Sequence, residues 1–179
     1  MKCQYKILAL AVGLAVSAAV VANNVPSKGV NGGIGLGGGY SSSFNSSKSG
    51  FGYLVHLGYQ FTPHVGVEIG AMGIAVANNF NTAFNASISG AAASYLAVDL
   101  YTPFAQNWQG FLKLGIGHAA YMNEGVNIFN NDFGEGAAFI AGAGVAYYVT
   151  KHVSFEGYVQ SAIYQHTFLV YGVGLSYHF

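Results

Sequence analysis

Arginine is absent from this 179-residue sequence, and charged residues of any kind make up only 7% of it. With 6 lysines set against 6 carboxylates, no basic surface exists to neutralise a phosphate backbone, which excludes nucleic acid as a partner. A soluble domain normally carries about 25% charged residues, whereas here the hydrophobic fraction is 53%. Something other than water must cover that surface. A further absence selects the architecture. Beyond residue 22 no apolar run approaches the ~20 residues that a membrane-spanning helix needs. A membrane protein without spanning helices must satisfy its backbone in a closed barrel. The one cysteine, Cys3, has no partner for a disulfide.

The N-terminus points to export. Lys2 and Lys6 precede an apolar run from Ile7 to Val21, with the small residue Ala22 after it, the layout of a secretory signal peptide. We expect residues 1–22 to be the signal and 23–179 the barrel domain. Cleavage after Ala19, with Ser17 two residues before it, is the alternative. Cys3 lies ahead of the apolar run, so it is not a lipidation site. Four lysines (28, 48, 113, 151) and six carboxylates (68, 99, 124, 132, 135, 156) remain, a formal charge of −2.

What is present is alternation. At the C-terminus Leu169, Tyr171, Val173, Leu175, Tyr177 and Phe179 interleave with Val170, Gly172, Gly174, Ser176 and His178. Phe51, Tyr53, Val55, Leu57, Tyr59 and Phe61 interleave with Gly52, Leu54, His56, Gly58 and Gln60 in the same way. Period two with one lipophilic face and one mixed face suits a strand between lipid and a filled lumen. Strands are expected near 30–40, 51–61, 65–76, 89–101, 109–121, 136–148, 153–164 and 169–179. Each is about 11 residues, enough to cross the hydrocarbon layer when tilted, and eight is the smallest usual barrel. The fold expected is therefore all-β, an eight-stranded antiparallel up-and-down transmembrane barrel.

The connections sort by length. Ser41–Gly50, Ala77–Ile88 and Met122–Glu135 read as long loops, Thr62–His64 and Thr150–His152 as tight turns, and Thr102–Trp108 as a longer inner turn carrying Pro103. The link around Gln165–Phe168 is short. Long loops face outward in such barrels and short turns face the periplasm. The aromatics then fall at two levels: Tyr40, Phe51, Tyr53 and Tyr171 outside, and Phe61, Trp108, Tyr147, Phe155, Tyr177 and Phe179 inside.

These residues resemble the OmpA-type transmembrane barrel family. Gly58-Tyr59-Gln60-Phe61, Pro63 and Val65-Gly66-Val67-Glu68-Ile69-Gly70 are similar to its second inner hairpin, Lys113-Leu114-Gly115 to the start of its fifth strand, and Gly172 to Phe179 to its closing strand. The resemblance implies a Gram-negative outer-membrane location. It also implies that Tyr177 and Phe179 are the signal read by the barrel assembly machinery, and that the lumen holds a mixed-charge network. At the positions of Asp99 and Glu156 the better-known members carry basic residues. Full-length members commonly continue into a periplasmic peptidoglycan-binding domain after the closing strand, whereas this sequence stops at Phe179.

The strand charges Glu68, Asp99, Lys113 and Glu156 all have inward parity and lie two to four residues from the expected periplasmic strand ends. In a narrow lumen they must pair with one another. Three carboxylates against one lysine leave an excess, so one carboxyl is expected to hold a proton or to pair with protonated His56. A plug that fixes the barrel is the expected role, and an ion gate the alternative.

Other chemistries fare worse. Gly33-Ile34-Gly35-Leu36-Gly37-Gly38 fits a GxGxxG string, yet no helix follows to bind a pyrophosphate; inward glycines here make room for lumen side chains. The six histidines show no metal-site spacing, and no cofactor or metal is expected. An outer-membrane lipid A deacylase needs a His and a Ser two apart on a lipid-facing strand with a supporting acid. His166 is followed by Thr167 and Phe168, and His118 by two alanines, so no catalytic residues are assigned. Phe44, Phe80, Phe84, Phe129 and Phe133 stand among Asn, Ser and Gly in the outer loops, where they either pack onto the barrel mouth or contact host or surface ligands. The expected function is a non-enzymatic barrel in outer-membrane lipid and lipopolysaccharide, with a structural and surface role in adhesion or envelope integrity and a plugged lumen. The alternative is a small pore for ions or small solutes.

Overall fold

The computed structural model describes residues 25–43, 46–78, 87–122, 133–164 and 167–179. Phe44, Phe80, Phe84, Phe129 and the signal segment 1–22 lie outside them, and the side chain of Phe133 does too. Eight strands follow in order: β1 (Gly29–Ser43), β2 (Ser46–Thr62), β3 (Val65–Asn78), β4 (Ser87–Ala105), β5 (Trp108–Met122), β6 (Phe133–Tyr148), β7 (Val153–Ile163) and β8 (Thr167–His178). Each pairs antiparallel with the next, and β1 pairs with β8, which closes the barrel.

Alternation sets the two faces. On β2, Phe51, Val55, Leu57 and Phe61 are about half exposed, while Leu54, His56 and Gln60 between them are buried. The outward side chains meet lipid and the inward ones fill the lumen. At the short-turn end, Trp108 packs on Tyr147 with centroids 4.9 Å apart, and Tyr177 meets Phe179 edge-on at 4.9 Å. At the other end Tyr40, Phe51 and Tyr171 are exposed.

Two turns share one device. The Thr62 hydroxyl accepts from the N–H groups of His64 and Val65 at 3.2 and 3.0 Å, and Thr150 accepts from His152 and Val153, both at 3.1 Å. A threonine hydroxyl satisfying the next donors is a compact way to reverse a strand.

Two expected loops differ. Ser41–Gly50 is mostly strand, with Ser41 paired to Lys48 and Ser43 to Ser46. Its Ser-rich composition lacks apolar alternation, but the backbone ladder continues through the described residues regardless. The Thr102–Trp108 turn shrinks to residues 106–107, for β4 runs on to Ala105, which pairs with Trp108. A register shift between Pro103 and Ala105 absorbs the proline. That bulge leaves Phe104 as the extra residue, and its ring stacks on Trp108 at 6.4 Å.

Candidate functional site

Strand parity and tilt bring buried polar residues from β1 to β8 into the short-turn half of the lumen. Glu68, Asp99 and Lys113 are 5%, 1% and 3% exposed. Glu156 on β7 is half-buried and lines the same cavity, together with His56, Gln109 and Gln160. The space left among them is only about 20 Å³, room for roughly one water.

Lys113 forms a buried ion pair with Glu68. The same Glu68 Oε1 accepts the Tyr95 hydroxyl at 2.6 Å. The Lys113 ammonium also sits 5.4 Å from the Tyr95 ring centroid and 5.9 Å from that of Phe111, so aromatic faces complete its surroundings. Asp99, although opposite Lys113 in the β4–β5 register, accepts from Tyr101 at 3.3 Å. Asp99 and Lys113 lie farther from the short-turn end than expected, because β4 continues beyond residue 101.

Of the two outcomes expected for the excess carboxylate charge, a retained proton or a pair with His56, no His56–carboxyl contact is present among the described residues. His56 Nε2 lies 3.3 Å from Ser176 Oγ, since Gly33 between them on β1 leaves the space that a side chain would fill. Lower down, the Tyr148 hydroxyl donates to Gln109 at 2.7 Å, and His178 Nε2 is 3.1 Å from Ser154 Oγ.

The long-loop half of the lumen is different in kind. Met72, Ile140, Phe168 and Val170 are 0% exposed, joined by Leu54, Ile74 and Tyr121. Phe168 meets Tyr121 edge-on at 5.9 Å. Glycines on β1 admit part of this filling: Gly35 faces Tyr158, and Gly39 faces Ile74. This apolar layer was missed in the sequence, although inward parity at Met72, Ile74 and Ile140 carried the signal. The tyrosine partners of the charges were missed as well.

At the end of the chain, the Phe179 N–H donates to the Val30 carbonyl at 2.9 Å. Its ring is 74% exposed on the lipid side, as Tyr177 is to 47%. Among the described residues no three His, Cys, Asp or Glu side chains converge as a metal site requires.

Comparison with known proteins agrees with this architecture. The neisserial surface protein A structure superposes with a TM-score of 0.68 at 12% identity, covering 86% of this chain and 99% of that one. Ail, the attachment invasion locus protein of Yersinia pestis, solved with the heparin analogue sucrose octasulfate, gives 0.60 at 13% identity, with 86% and 100% covered. The N-terminal β-barrel domain of Pseudomonas aeruginosa OprF gives 0.58 at 15%, again with 86% and 100%. At such identities the likeness is one of fold. No curated protein matches in sequence. The family described as outer membrane protein beta-barrel domain matches residues 7–179. A closed eight-stranded barrel with an apolar outer wall, matched along almost its whole length, makes this chain a member of that family and an integral protein of the bacterial outer membrane.

Proposed function

We propose that the protein is a sealed, non-catalytic barrel that reinforces the outer membrane and presents its long loops at the cell surface. The supporting observation is the succession of two closures in one lumen. Above a polar layer whose free space is about 20 Å³ lies the layer of Met72, Ile140, Phe168 and Val170, none of them exposed. An ion crossing the polar layer would still meet an apolar constriction with no partner for its charge. Glu68, Asp99, Lys113, Glu156 and His56 act in this reading as the inner part of the plug. Residues 1–22 direct export, and Tyr177 and Phe179 guide assembly.

Surface contacts are the second part of the role. Ail was solved with a polysulfated ligand, which needs cationic partners. In this chain Lys28 and Lys151 stand at the short-turn end and Lys113 in the lumen, which leaves Lys48 alone on the long-loop side. Aromatic recognition through Phe44, Phe80, Phe84, Phe129 and Phe133 is therefore favoured over a polyanion.

Liposomes containing the refolded barrel and loaded with a small dye and with potassium test the seal. Both are expected to stay inside, with release no faster than from protein-free vesicles. Release of either at a rate proportional to the protein present would establish the pore in its place.

A further inference from the structure

Charged side chains are divided unevenly between the two ends of the barrel. Lys28 and Lys151 stand exposed at the short-turn end, and none of the six carboxylate side chains joins them. Glu68, Asp99 and Glu156 line the lumen, while Glu124, Asp132 and Glu135 belong to the long-loop side by strand order. The two lysines flank the end of β8, which lies between β7 and β1. On one side Lys151 precedes His152, whose carbonyl accepts from the His178 N–H at 2.7 Å. On the other, Lys28 precedes β1, where the Phe179 N–H donates to Val30. Strands next but one lie about 10 Å apart, a gap that two extended lysine side chains close. Among the described residues neither ammonium is held in an ion pair, not even with the carboxyl group of Phe179, which lies beside Gly29.

Next to this pair of cations the outer wall is notched. Gly32 on β1 stands opposite Tyr177 on β8, and Ile34 opposite Leu175, with Ile34, Leu175 and Tyr177 about half exposed. The missing side chain at Gly32 opens a shallow groove of about 300 Å³ beside Ile34, Leu175, Tyr177 and Val153. The apolar wall continues past the groove in both directions, through Leu36 and Val173 and through Val30 and Phe179, so the groove lies within the band that meets lipid. Its short-turn edge is fixed by His152, whose ring lies over Tyr177 at 5.9 Å and 19° and whose Nδ1 donates to the His178 carbonyl at 2.7 Å. We propose that the groove and the two lysines form a binding site for a phospholipid with an anionic headgroup, its phosphate between Lys28 and Lys151 and one acyl chain along Gly32, Ile34 and Leu175. Short turns face the periplasm, the side on which the outer membrane carries its phospholipid. The inference does not depend on whether the lumen is sealed.

Other occupants fit less well. A zwitterionic phospholipid would bring an ammonium to two lysines, with no carboxylate side chain at this end to receive it. Lipid A also carries phosphates, but it belongs to the leaflet at the long-loop end. A second copy meeting this face through a two-fold contact would set Lys28 and Lys151 against the same two lysines, like charge against like.

Native mass spectrometry of the mature barrel in mild detergent, with phosphatidylglycerol, phosphatidylethanolamine or lipid A added in turn, tests the site. The expected result is one retained phosphatidylglycerol, preferred about tenfold over phosphatidylethanolamine and not exceeded by lipid A. Lys28→Gln combined with Lys151→Gln should bring phosphatidylglycerol down to the level of phosphatidylethanolamine, whereas Lys48→Gln, on the long-loop side, should leave the preference intact. Gly32→Leu fills the groove. A Cβ there meets only the tip of the Leu57 side chain at 3.3 Å and the His56 carbonyl at 3.5 Å, so the folded band on unboiled gels should be kept while retention is lost. Equal retention of phosphatidylglycerol and phosphatidylethanolamine by the parent, an unchanged preference in the double lysine variant, its loss in Lys48→Gln, retention by folded Gly32→Leu, or stronger retention of lipid A would each overturn the proposal. Should Gly32→Leu not fold, the double lysine variant decides alone.

Discussion

Lys113 on β5 bonds to Glu68 on β3, two strands away, and not to Asp99, which stands directly opposite it on β4. The reach is made across the lumen, where the curvature of a small barrel brings inward side chains of non-adjacent strands together. Glu68 thereby gains both the lysine and the Tyr95 hydroxyl, and Asp99 is left with the Tyr101 hydroxyl.

That difference predicts unequal effects of removing the two carboxylates. Glu68→Gln breaks a buried pair from one side, typically ~3–5 kcal/mol, and should lower the urea midpoint of the refolded barrel at pH 8. Asp99→Asn removes an anion that lacks the lysine and should leave the midpoint unchanged or raise it. Equal losses in the two variants would show that Lys113 serves both carboxylates alike.

Lys113→Met keeps the side-chain length and removes the cation. At pH 8 it leaves Glu68 without its cation in a layer that also holds Asp99 and Glu156, whereas at pH 5 proton uptake by a carboxyl can relieve the charge. Because the unpartnered anion destabilises the folded state, stability regained on acidification is the expected sign. The variant should therefore lose more stability at pH 8 than at pH 5. An unfolding midpoint unchanged at both pH values would contradict a stabilising role for the layer.

Removing Phe179 should separate folding from assembly. In the folded barrel the residue contributes one hydrogen bond to Val30, about 1 kcal/mol, and a ring largely exposed to lipid. Refolding into detergent is expected to be nearly normal. The amount inserted in cells should fall several-fold, as measured by surface labelling, if the terminal ring is read during assembly. Equal surface levels would remove that role from Phe179.

Much of this barrel was legible from period two alone. Outward Leu57 against inward His56, and outward Val98 against inward Asp99, follow from parity once the chain is taken to span lipid, and so do the inward positions of Glu68, Asp99, Lys113 and Glu156. Partner choice was not legible. Register nominates Asp99 for Lys113, and only the closed curvature selects Glu68. The link Ser41–Gly50 was misread because its Ser-rich sequence loses apolar alternation while the backbone keeps its ladder.

The proposed function rests on a closed lumen. Single-channel recording of the refolded mature barrel in a planar bilayer tests it most directly, with an open porin as the positive control. A quiet baseline is expected at both polarities, with no discrete steps from the parent protein. Regular conductance steps in the parent, altered in size or frequency by Lys113→Met without loss of stability, would contradict it and make the charged layer an ion gate.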